Sequence, residues 1–85
     1  MYIHLGGEKL ISSKQLIGIF DLATDKSSKT LQEFIAYYEA NNLITAIGEE
    51  EPKSLVVTDD RLYYSPVSPA TLRRRIAQGS ALSHT

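Results

Sequence analysis

The stretch SLVVTDDRLYYS, residues 54–65, decides the fold. Ser54–Thr58 is β-branched and apolar, which reads as a strand. Asp59-Asp60 makes a tight turn, since short acidic side chains hydrogen-bond their own backbone there. Leu62–Ser65 is the returning strand, so residues 54–65 form a hairpin, and Pro66 stops it. Leu55-Val56-Val57 is apolar on both faces, because successive strand residues point to opposite sides. A chain of 85 residues buries only about 60–65% of its unfolded surface. Such a thin domain has difficulty covering both faces of that strand, so part of it is expected to pack against a copy of the chain or a partner.

Upstream of the hairpin lies the main helix. Asp25-Lys26-Ser27-Ser28-Lys29 is a polar breaker, and Thr30-x-x-Glu33 fits a capping box. Leu31, Phe34, Ile35 and Tyr38 fall at i, i+3, i+4 and i+7, one helical stripe. Asn41-Asn42 ends it, because Asn accepts the left-handed conformation, which predicts a helix over about 28–41. Leu43–Ile47 then reads as a strand. Further upstream, Tyr2–Leu5 alternates with period two, Gly6-Gly7 supplies a turn, and Leu10-Ile11 is the return arm. Leu16–Leu22 is a strand in which Gly18 marks a bulge or a close approach. Downstream, Ser68-Pro69 starts a short helix with Leu72 and Ile76 on its inner face, ending at Gly79 (about 69–78). The fold class is therefore α+β, with a largely antiparallel sheet of five to six short strands. Residues 1–78 are expected to form a single domain and 79–85 a flexible tail.

Composition excludes several function classes. There is no cysteine, and the two histidines, His4 and His84, lie at opposite ends. Disulfides and a histidine-rich metal centre are thereby not expected. No cofactor or small-molecule substrate is expected either, since Gly6-Gly7 lacks the lysine and helix of a phosphate loop. No nucleophile–base pair stands out around His4, Ser12 and Ser13, so the chain reads as a non-enzyme. Nothing approaches the ~18 apolar residues of a membrane span, no signal core is visible, and a cytoplasmic location is expected.

Charge is balanced overall at −1 but unevenly placed. Residues 1–60 hold all ten acids and five lysines, net −5, whereas 61–85 hold four arginines and no acid, net +4. Arg73-Arg74-Arg75 sweeps an arc of about 200° on a helix, and guanidinium forks suit phosphate oxygens. The plain alternative is a solvated last helix whose cations suit its C-terminus. Glu49-Glu50-Glu51 is an acidic turn without the spacing of a calcium loop. Tyr37-Tyr38 and Tyr63-Tyr64 each place one ring away from its neighbour's face, and exposed tyrosines are favoured at interfaces. Tyr37, Val56 and Tyr63 are accordingly the candidate oligomer contacts.

The segments MYIHLGG, IGIFDL, PKSLVVTDD and RLYYSPVSPATLRRR resemble the extracellular matrix regulatory protein B family, small bacterial proteins related to the biofilm regulator RemA. The resemblance covers residues 1–76 and is most specific over Pro52–Arg75. It implies a small α+β fold, a homo-oligomeric ring, and double-stranded DNA bound around a basic outer surface to promote matrix gene expression. A heterologous contact that closes gives such a ring. Relatives of the RemA type place an arginine pair in the loop before the strand that matches Ser54–Thr58. Here Glu49, Glu50 and Glu51 stand in that loop and Lys53 alone keeps a basic charge, while Lys14 lies beside the early-turn basic position. The resemblance thus leads to a DNA-binding regulator using Lys14, Lys53, Arg73, Arg74 and Arg75 on phosphates. The alternative is an interaction module whose Glu49–Glu51 loop engages a basic protein surface without DNA.

Overall fold

The computed structural model describes residues 1–82. In chain order it contains β1 (Tyr2–His4), β2 (Leu10–Ser12), a 3-10 turn (Ser13–Gln15), β3 (Leu16–Asp21) and α1 (Lys29–Ala40). These are followed by β4 (Ile44–Ala46), β5 (Ser54–Thr58), β6 (Leu62–Ser65) and α2 (Pro69–Leu82). The six strands make two sheets, an antiparallel β1–β2 hairpin and a four-stranded sheet ordered β3-β5-β6-β4. The α+β class and the hairpin of residues 54–65 are as the sequence predicts, with Leu55 opposite Tyr64 and Val56 opposite Tyr63. Gly18 follows a bulge, since the β3–β5 register shifts between Leu16 and Gly18.

One strand departs from the antiparallel pattern. β4 pairs with β6 in parallel. The helix between β3 and β4 carries the chain across the sheet to the far edge, and a strand reached by such a crossover returns in the same direction. Helix α1 begins one residue after its cap Ser28, whose hydroxyl accepts the Leu31 amide. The capping box expected at Thr30 and Glu33 is therefore not the one used. The reciprocal motif occurs instead at Ser12 and Gln15, around the 3-10 turn. Asn42 does take the left-handed conformation after α1, with φ 56°. Helix α2 runs through Gly79 to Leu82, past the expected end. A glycine inside a helix costs about 1 kcal/mol against alanine, which the rest of the helix tolerates. The remainder of the expected tail, 83–85, lies outside the described residues.

Both faces of the central sheet are covered by the chain itself. On one face Leu31 and Tyr38 of α1 pack on Leu55, Val57 and Leu62, with Phe20, Phe34 and Tyr64 around them. On the other face Ile3, Leu5 and Ile11 of the small hairpin join Ile47, Val56, Tyr63 and Leu72 of α2. The layers are α1, the four-stranded sheet, and the hairpin with α2. Two buried serines lock the third layer on: Ser65 donates to the Leu5 carbonyl and Ser54 to the Val67 carbonyl. This corrects the expectation that Leu55-Val56-Val57 needs a partner, because all three are 0% exposed.

Val56 and Tyr63 therefore cannot serve as oligomer contacts in this fold. Tyr63 is 4% exposed, and the Lys9 ammonium sits 5.1 Å from its ring centroid, a cation–π cover. Tyr37 is different, at 62% exposure.

Candidate nucleic-acid interface

The cations singled out in the sequence do not form one patch. Lys14 is exposed in the 3-10 turn, where the Gln15 carbonyl accepts the Asp59 amide and Leu16 pairs with Thr58. Lys53 stands at the opposite end of the same pair, where its carbonyl accepts the Leu22 amide and Asp21 pairs with Ser54. Five residues of extended chain separate the two ends, about 17 Å at ~3.3 Å each. Sequence distance alone hides this, because the hairpin turn and the β3 register decide it.

Lys53 instead has α2 beside it. An open groove of about 400 Å³ is lined by Asp21, Lys26, Glu51, Lys53, Ser68 and Pro69 among others. Ser68 caps α2 by accepting the Thr71 amide, so the positive end of a helix macrodipole adjoins the groove. Its four charged side chains cancel, two lysines against Asp21 and Glu51, and the Asp21 carboxylate also accepts the Ala23 amide. Lys26 is the cation the sequence reading left out. It lies in the polar breaker before α1, and only the turn after β3 brings it to Lys53.

The uncompensated positive charge lies on α2 itself. Arg73 and Arg74 are exposed, and the helix carries no acidic residue. Arg73 is four positions after Pro69, hence on the same side of the helix and one turn from the groove. Arg75 is half-buried and its guanidinium donates to the His4 carbonyl at 2.7 Å. It ties α2 to β1, so a free phosphate-binding role for Arg75 does not fit this fold; the run of three arginines reduces to two outward forks and one anchor. His4 in turn places its Nε2 2.6 Å from the Gly7 carbonyl oxygen, within the hairpin loop.

Glu49, Glu50 and Glu51 are all exposed on the loop between β4 and β5, next to Lys53. This loop is where the resemblance expects an arginine pair. No group of three side chains suited to a metal stands together among the described residues, and no helix among them is long and apolar enough to cross a membrane.

The chain is 39% identical over 75 residues to extracellular matrix regulatory protein B of Bacillus subtilis (strain 168), covering 88% of this chain and 89% of that one. Residues 2–76, from β1 to the first two turns of α2, match the RemA-like family, described as extracellular matrix regulatory protein A-like. The chain belongs to the RemA-like family.

Proposed function

We propose that this chain is a non-enzymatic regulator of extracellular matrix gene expression that binds double-stranded DNA as a homo-oligomer, through phosphates. The observation that carries the reading is the acid-free helix α2, with Arg73 and Arg74 exposed on it. Guanidinium forks match phosphate geometry. Lys53 and Lys26 flank the start of α2, where Glu51 and Asp21 offset their charge, and Lys14 supplies a separate contact from the far end of the sheet. One subunit offers few cations. Repetition around an oligomer multiplies them into a track, which is how a chain of net charge −1 holds a polyanion. No element presents a row of side chains suited to base edges, so selectivity comes from DNA shape and spacing.

The test is a fluorescence-anisotropy titration of duplex DNA at several salt concentrations. Binding with a steep salt slope is expected, and Arg73→Ala with Arg74→Ala flattens that slope by about 1.8 per subunit engaged, at ~0.9 per phosphate contact. Absence of binding at low salt by the assembled protein overturns the reading. A second reading has its own observation: the exposed Glu49-Glu50-Glu51 loop repels phosphate beside Lys53. On that reading the chain engages a basic protein surface, and changing the three glutamates to alanine abolishes partner capture while DNA affinity stays absent.

A further inference from the structure

A second surface, on the opposite layer from α2, has a different chemistry. Thr30, Glu33, Phe34, Tyr37 and Tyr38 of α1 line an open groove of about 320 Å³. Tyr37 is 62% exposed, more than its own fold requires, and its ring meets that of Tyr38 edge to face, 5.4 Å between centroids at 89°. Glu33 precedes Tyr37 by one turn and so shares its side of the helix. Beneath the groove the buried Tyr38 hydroxyl donates to the Thr58 carbonyl, next to the turn that carries exposed Asp59 and Asp60. The groove thus carries an exposed aromatic ring with the Glu33 carboxylate in its lining, and the Asp59–Asp60 turn lies beyond its Tyr38 side.

We propose that this α1 groove is a docking site for an arginine presented by a basic segment of a protein partner. The charge selects the occupant. Phosphates and acidic peptides are repelled by Glu33 in the lining and by the nearby Asp59 and Asp60, whereas an apolar side chain gains nothing from these exposed carboxylates. A guanidinium stacks on a tyrosine face and forks onto a carboxylate at the same time, and a compact ammonium does only one of these well. A bare cation is a poorer fit, because Asp60 already accepts the Thr58 hydroxyl at 2.9 Å. The site does not involve α2, so it operates whether or not DNA is bound there. It also relocates partner binding from the Glu49–Glu51 loop, which offers carboxylates without an aromatic surface.

The probe is a blocked peptide, Gly-Arg-Ala-Arg-Gly, titrated into the isotopically labelled full chain and followed by amide chemical shifts. A peptide with citrulline in place of both arginines is the neutral control. Shifts confined to residues 30–38 and 58–60, with the citrulline peptide about tenfold weaker, are the expected result. Glu33→Gln and Tyr37→Ala each weaken binding severalfold, and both positions are exposed, so the fold survives them. Three outcomes overturn the proposal: no localised shifts at millimolar peptide, shifts centred on Glu49–Glu51, or equal binding of the citrulline peptide. A fall in the mass of an assembled protein on Tyr37→Ala also overturns it, since the groove then belongs to a second copy of the chain. None of these readouts uses DNA, so their failure is separate from failure of the regulator reading.

Discussion

Single side chains acquire their roles from what the fold sets against them. Tyr38 is the clearest case. Burial, then the neighbouring Tyr37, Asp59 and Asp60, push its hydroxyl above the ordinary value of 10.0. The folded chain keeps this proton where the unfolded chain gives it up, so stability from Tyr38 is complete below about pH 10 and declines as pH rises through the raised value. Tyr38→Phe leaves the Thr58 carbonyl without its donor and costs about 0.5–1.5 kcal/mol at neutral pH. Urea unfolding at pH 8 and at pH 10.5 checks both parts: the gap between wild type and variant narrows at the higher pH. Arg75 is the second case. Among three adjacent arginines, only this one is anchored, by its bond to the His4 carbonyl. Arg75→Ala is expected to lower thermal stability while leaving the salt slope of DNA binding near that of wild type, the reverse of Arg73→Ala with Arg74→Ala. Nothing in three identical residues distinguishes the anchor from the forks. The distinction is made by β1, which is distant in sequence and packed beside α2 in space.

Elements are specified locally where a cap or a turn allows only one conformation. The Ser28 hydroxyl starts α1, so Ser28→Ala costs about 1 kcal/mol, whereas Thr30→Ala stays within about 0.5 kcal/mol. Chemical denaturation of the two variants separates the cap that is used from the one that the sequence pattern favours. Both hydroxyls lie within reach of a first turn, and helix entry is settled by which backbone leaves the loop extended. At the β1–β2 turn the demand is stricter. Gly6 has φ +108°, and a Cβ there meets Pro66 Cγ at 3.2 Å. Gly6→Ala is therefore strained twice and is expected to cost about 1–3 kcal/mol, read as a lower melting temperature. The helical stripe of α1, the hairpin of β5 and β6, and the bulge at Gly18 were legible for the same reason. Each is a periodicity or a conformational need carried by neighbouring residues. Strand β4 was legible as a strand and not as a parallel one, because direction depends on where α1 deposits the chain.

At the scale of the whole molecule, the three layers separate two chemistries. Helix α2 faces outward with arginines on one side, and α1 carries an acidic aromatic groove on the other. The Glu49–Glu51 loop lies beside Lys53 and sets the field there. Glu50→Lys with Glu51→Lys converts two repelling charges into two attractive ones in the loop where the family resemblance expects arginines. DNA affinity in the anisotropy assay is expected to rise at least about tenfold at low salt, with a steeper salt dependence, at ~0.9 per added phosphate contact.

The class of fold, the position of nearly every element and the segregation of arginines to the last quarter of the chain are all legible in the order of residues. These follow from hydrophobic period, turn residues and charge order, all of which are local or additive. The same order also carried the family, because the hairpin and the start of α2 are contiguous motifs. Tertiary structure alone decided that β5 is buried on both faces within one chain, that Val56 and Tyr63 are interior, and that Lys14 and Lys53 stand at opposite ends of the sheet. It alone paired Lys26 with Lys53 and separated Arg75 from its two neighbours. The physical reason is the same in each case: burial and proximity are set by which distant segments meet, and α1 and α2 meet the sheet from opposite sides.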